Sequence, residues 1–173
     1  MAAKARAAAA RLGGQARYWG DGGGDNLGTR ILDQLTAKGV DVAAVRRIAG
    51  CVSPSAAILV AAQGERLVCA CNDPRLDADA SWRPLERDAD CHGVLGDVRR
   101  PEGTAAVFDA AARHRIPRVF DGAVGSRETL VDLAKRATPA VTLQPGLAHA
   151  SGTSAPGGLM RSRAPSQASS ASP

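Results

Sequence analysis

One rhythm between residues 93 and 150 constrains the fold of this chain more than any other feature. Gly93–Val98 is a short apolar run of the buried-strand type. Pro101–His114 then reads as a helix, with proline at the first position, where its missing N–H leaves no bond unmade. Arg118–Phe120 reads as a strand ending at Asp121, and Ser126–Arg136 as a helix with Leu130, Leu133 and Ala134 on one side. Ala140–Leu143 is a third strand, and Pro145–Ala150 opens another helix. Parallel strands need a long crossover, and a helix is the usual one. Strand, helix, strand, helix, strand at this spacing therefore predicts an α/β fold built on a parallel sheet.

The residues before this region follow other rules. Ala2–Leu12 is an Ala-rich helix stopped by Gly13-Gly14, and Gln15–Trp19 suits a short strand. A glycine cluster, Gly20–Gly24, comes next. It does not fit the phosphate-binding pattern G-x-x-x-x-G-K-[ST], and Asp21 within it would repel phosphate, so it reads as a flexible loop. Asp25 or Asn26 then caps a helix whose stripe is Leu27, Ile31 and Leu35, with Gly39 as its end. Ala56–Ala62 and Glu65–Asn72 are apolar runs separated by Gln63-Gly64, the pattern of a β-hairpin. Asn72-Asp73-Pro74 closes it with turn chemistry.

Composition narrows the class of protein. A chain of 173 residues suffices for one domain with a real core. Aromatic residues are only 3%, so the core is expected from Leu, Val, Ile and Ala. No apolar run is long enough for a membrane-spanning helix. The Met1–Arg11 start is basic and free of acids, a faint likeness to an organelle transit peptide, but it reads more simply as a helix. The net charge of +5 collects at the ends, in Lys4, Arg6, Arg11 and Arg17 and in Arg161 and Arg163. Without a basic stripe interleaved with aromatics, nucleic acid is not an expected partner. Cys51, Cys69, Cys71 and Cys91 lack metal-ligand spacing, so reduced thiols in a cytoplasmic protein are expected, with no metal site. Residues 153–173 are Ser-, Ala-, Pro- and Gly-rich with no apolar period, and are expected to be a disordered tail. The expected organisation is a single domain over residues 1–152, with a lid at about residues 51–74, followed by that tail.

Several segments, in this order, resemble the ribokinase-like (PfkB) family of carbohydrate kinases. ARLGGQARYWG followed by GGDNLGTRILDQLTAKGVD resembles that family's A-R-L-G … G-x-V-G-D-D-x-x-G … L-x-x-x-G-V-D signature. VSPSAAILVAAQGERLVCACNDP is similar to its lid hairpin, GVLGDVRRPEG and IPRVFDG to successive core strands, and LQPGLAHASG to its N-E-x-E … L-x-G segment. The resemblance runs from about Ala2 to Gly152. It implies a partial three-layer ribokinase-like fold with an inserted lid, ATP and Mg²⁺ as cofactors, a sugar or anionic sugar derivative as substrate, and a homodimer through the lid. No membrane is implied as a partner.

The departures from that pattern shape the expected activity. Gly22 and Gly24 replace Val and the first Asp of G-x-V-G-D-D, leaving Asp25 as the second. Leu143, Gln144 and Gly146 stand where the family has Asn, Glu and Glu, and no G-A-G-D motif occurs. In the family that motif supplies an anion hole and the Asp that deprotonates the attacking hydroxyl. The chain therefore reads as a fragment truncated at both ends, a transferase by descent, with little or no kinase activity of its own and no assigned catalytic residue. The alternative is a non-catalytic binding or dimerisation module. Candidate substrate-binding residues are Asn72 at the end of the lid, Arg99 and Asp121 at strand ends, and Asp25. Arg99 stands where ribokinases tend to have Glu, and suits a carboxylate, sulfonate or phosphate, as in the sulfofructose kinases of the family. The competing role for Arg99 is a surface pair with Asp97 or Glu102. A half-sheet with uncovered edges is also expected to be poorly soluble or partly molten.

Overall fold

The computed structural model describes residues 2–76, 81, 91–123, 125–142, 144–151 and 159–161. The chain divides into two units, Ala3–Ala78 and Asp79–Pro173.

The strand–helix rhythm becomes the second unit. Strands β7 (Val94–Asp97), β8 (Arg118–Gly122) and β9 (Pro139–Thr142) alternate with helices α3 (Pro101–Arg113), α4 (Arg127–Arg136) and α5 (Gln144–Ser151). The three strands pair in parallel, with Val94 opposite Arg118 and Phe120 opposite Ala140. Their buried faces meet α3 and α4 in a core of Val94, Phe108, Ala111, Ile116, Phe120, Leu130, Leu133, Ala137 and Ala140. The side chains expected along α4 are found there: Leu130 and Leu133 are buried and Ala134 lies against them. The expectation of a core without aromatics fails. Both phenylalanines of the chain are fully buried in this cluster, at 0% exposure. Few aromatics overall does not mean few in the core, since a large apolar ring removes the most area from water. The tail contributes one further strand, β10 (Leu159–Arg161), antiparallel to β9, which the Ser/Pro-rich composition does not announce.

In the first unit, α1 (Ala2–Arg11) leads to β1 (Ala16–Arg17) and β2 (Gly20–Gly23). After α2 (Asn26–Thr36) come β3 (Val40–Asp41) and β4 (Val45–Ile48). β1 pairs in parallel with β3, and β2 with β4, so α2 is the crossover between them. The glycine cluster is thus a strand and not a loop. Its glycines permit close approach: a Cβ on Gly23 would lie 2.5 Å from Cys51 O, and one on Gly28 would lie 2.8 Å from Ser53 Oγ. That requirement also turns α2. Leu27, expected on the inner stripe, is 38% exposed, while Gly28 and Leu35 are buried. Leu35, Ala16 and Val40 form a small second core, with Ile31, Tyr18 and Ala10 against it.

The hairpin forms as expected from β5 (Ser55–Val60) and β6 (Arg66–Cys71), in register from Ser55 opposite Cys71 to Val60 opposite Arg66. Its turn closes through Gly64 N–H donating to Ala61 O at 2.9 Å, with Gly64 at φ +86°. Ile58, Leu59, Val60, Leu67 and Val68 are each 57–63% exposed, so neither face of the hairpin is covered.

Candidate functional site

The feet of the hairpin hold a dense polar network. Asp25 is the N-cap of α2, and its Oδ1 accepts from Gly28 N–H at 2.8 Å. The same oxygen accepts from Ser53 Oγ at 2.6 Å, and Oδ2 accepts from Ser53 N–H at 3.0 Å. Those donors, the Ser53 hydroxyl first, hold its carboxyl below the usual range. A carboxylate engaged in this way binds the hairpin's entry to the helix. On the exit side, Asp73 accepts from Arg75 Nε and Nη2 at 3.0 and 2.8 Å, and from Val52 N–H at 2.8 Å. The Arg75 guanidinium, aided by these amides, holds the Asp73 carboxyl far below the usual range. Asn72 lies between β6 and this pair, exposed.

The second unit gathers a different set at the carboxyl edge of its sheet. β8 runs two residues beyond the expected Phe120, so Asp121 lies within the strand and directly opposite Asp97 of β7. Parallel strands end on one edge, and loops there cradle ligands in α/β folds. Asp121 is half-buried; burial raises its carboxyl pKa from the ordinary value, and the like charge of Asp97 adds to the shift. Asp97 Oδ1 accepts from Arg99 N–H at 3.0 Å, which shapes the turn out of β7. The Arg99 side chain is exposed and makes no ion pair with a described residue, so neither Asp97 nor Glu102 claims its guanidinium. An exposed guanidinium without an ion pair can take an anionic group in two parallel hydrogen bonds.

The candidates therefore divide between the units, Asp25 and Asn72 in the first, Arg99 and Asp121 in the second. Ser53 and Arg75 carry no motif in the sequence, whereas Asp73 enters there only as turn chemistry and Asp97 only as a surface partner for Arg99. Among the described residues no group of three or more His, Cys, Asp and Glu could hold a metal ion. The position matching the second acid of N-E-x-E is closed to a larger side chain. A Cβ on Gly146 would lie 2.6 Å from both Gly122 O and Ala123 O, so the helix start presses onto the exit of β8. No acid stands at this motif's counterpart.

The description "pfkB family carbohydrate kinase" matches residues 4–153. The chain belongs to that family. Among solved structures, a provisionally assigned ribokinase from Agrobacterium tumefaciens is 36% identical, with a TM-score of 0.81 over 88% of this chain and 50% of that one. A PfkB protein from Polaromonas sp. JS666 is 16% identical at a TM-score of 0.76, covering 89% of this chain and 59% of that one. A fructokinase from Xylella fastidiosa, solved with bound ATP, is 18% identical at a TM-score of 0.64, covering 81% and 60%. The last two likenesses speak to the fold alone. This PfkB-family chain spans between half and three-fifths of the length of these structures. No helix among its described residues is long and apolar enough to cross a membrane.

Proposed function

We propose that this PfkB chain carries substrate-recognition elements of an ATP-dependent sugar kinase, selective for a sugar derivative with an anionic end. The observation that carries the reading is the exposed Arg99 side chain, without an ion pair to a described residue, on the turn out of β7 where Asp97 faces Asp121. Arg99 binds the anionic end through two parallel hydrogen bonds, and Asp121 accepts from a sugar hydroxyl. In the first unit, and independently of that edge, Asn72 at the end of the hairpin is a sugar-binding amide. Asp25 acts indirectly, since its carboxylate is spent on Gly28 and Ser53. The 173 residues contain no G-A-G-D and no acid at the N-E-x-E counterpart, so no phosphoryl-transfer step is assigned to them.

Calorimetry on the chain with neutral sugars, sugar carboxylates and sugar sulfonates tests this reading. Anionic sugars should bind more tightly, and Arg99→Ala should remove the preference, a loss of roughly 10-fold or more for a charge-assisted pair. Equal affinity for anionic sugars in the variant would refute the role of Arg99. With ATP no turnover is expected. Turnover abolished by chelating Mg²⁺ would instead make Asp25 or Asp121 the base.

A second reading, association of two copies through the hairpin, is favoured by its apolar residues being exposed on both faces.

A further inference from the structure

The backbone ladder of the hairpin stops at the Ser55–Cys71 pair. The next residues inward on one leg are Pro54 and Ser53, and on the other Asn72, Asp73 and Pro74. Proline has no N–H to donate, so neither leg can carry the ladder further in the ordinary way. Two side chains continue it instead. Asp73 Oδ2 accepts from Val52 N–H of the opposite leg at 2.8 Å. One step further, Arg75 Nη2 donates to Gly50 O of that leg at 2.6 Å. The carboxylate and guanidinium are joined to each other by two bonds, and Asp73 Oδ1 also accepts from Arg75 N–H at 2.9 Å. Asp73 is thus both the partner of Val52 and the clamp on Arg75, and its side chain is only 5% exposed.

We infer that Asp73 and Arg75 form a latch that ties the exit leg of the hairpin to its entry leg, so that the hairpin turns as one piece about its feet. The entry leg is itself held to α2 by Asp25 through both the hydroxyl and the amide of Ser53. Among the described residues nothing covers a face of the hairpin, so its feet set its direction. Asp73 is therefore a positioning residue: it fixes the backbone on which Asn72 projects. The sugar-binding role of Asn72 rests on the kinase reading above, whereas the latch does not.

The thiol of Cys51 reports on the latch. It lies in the entry leg between Gly50 and Val52, is 4% exposed, and is a free thiol. Cys69 on β6 is an exposed thiol in the same hairpin and gives the unprotected rate. The full 173-residue chain would be labelled with N-ethylmaleimide and read at each cysteine by mass spectrometry, alongside amide exchange. Asp73→Ala, Arg75→Ala and the double variant should each raise Cys51 labelling by about 10-fold relative to Cys69. The double variant should be no faster than either single one, because one latch is lost in all three. Arg75→Lys, which keeps the charge and loses the fork, should be intermediate. The amides of β2, β4 and α2 should keep their protection throughout. The latch is overturned if Cys51 stays protected in both single variants, if their effects add, or if β2 and β4 lose protection together with the feet. Loss of anionic-sugar preference in Arg99→Ala with Cys51 labelling unchanged would bear on the kinase reading alone.

Discussion

Asp121 is the residue whose ionisation the fold resists. Its carboxyl pKa lies above the ordinary value because burial disfavours the charge. Below the unfolded pKa of about 4 both states hold the proton and the shift has no effect on stability. As pH rises through the folded pKa, ionising Asp121 in place subtracts from stability. Asp121→Asn should therefore raise the melting temperature at pH 7 and leave it unchanged at pH 3, as measured by calorimetry. An equal rise at both values would show that packing, not charge, is responsible. Asp25 and Asp73 have the opposite sign. Their depressed pKa values give stability that is present above about pH 4 and lost as the pH falls through the folded values. A carboxylate that costs stability at the ligand edge of a sheet is the more suggestive of function.

Among the elements, α4 is held by local rules. Ser126 Oγ accepts from Thr129 N–H at 3.2 Å, Glu128 lies in the first turn, and Lys135 and Arg136 lie in the last, each suiting the helix dipole. Ser126→Ala should cost about 1 kcal/mol in urea denaturation, the typical loss of a side-chain cap. The hairpin is the contrasting case. Two strands with no third neighbour and no covered face among the described residues are marginal in water. Amides of β5 and β6 away from the feet should exchange much faster than those of β8, which has a neighbour on each side. Protection of Ile58 equal to that of Phe120 in dilute protein would mean that something covers the hairpin.

For the molecule as a whole, stability and association draw on different surfaces. Phe120 is fully buried among the helices and strands of the second unit. Phe120→Ala should cost roughly 3–5 kcal/mol, a large part of the ~5–15 kcal/mol that holds a typical domain together. Urea denaturation reads this directly. Association draws on the hairpin. Ile58 and Val68 face each other across its ladder, so Lys at both places two charges on one face. If copies pair there, Ile58→Lys with Val68→Lys should shift sedimentation toward the single chain, and no shift would assign that face elsewhere.

The periodic signals were legible in the sequence because they are local. Parallel strands alternating with helices, the cap at Ser126, the hairpin turn at Gly64 and the family's order of segments all follow from spacing, side-chain type and turn chemistry. The candidate site was legible only as single residues at strand ends. Which partners those residues meet is set by contacts distant in sequence. Asp25 meets Ser53 across 28 positions and Asp97 faces Asp121 only by strand register. The same holds for the glycine cluster, where parallel pairing with β4 turned an apparent loop into β2. It holds also for the core, where burial placed both phenylalanines. Local chemistry thus determined the elements and their order. Only the tertiary structure decided which carboxylates are engaged, which guanidinium remains available, and where the hairpin is held, because charge and burial depend on neighbours that spacing along the chain does not reveal.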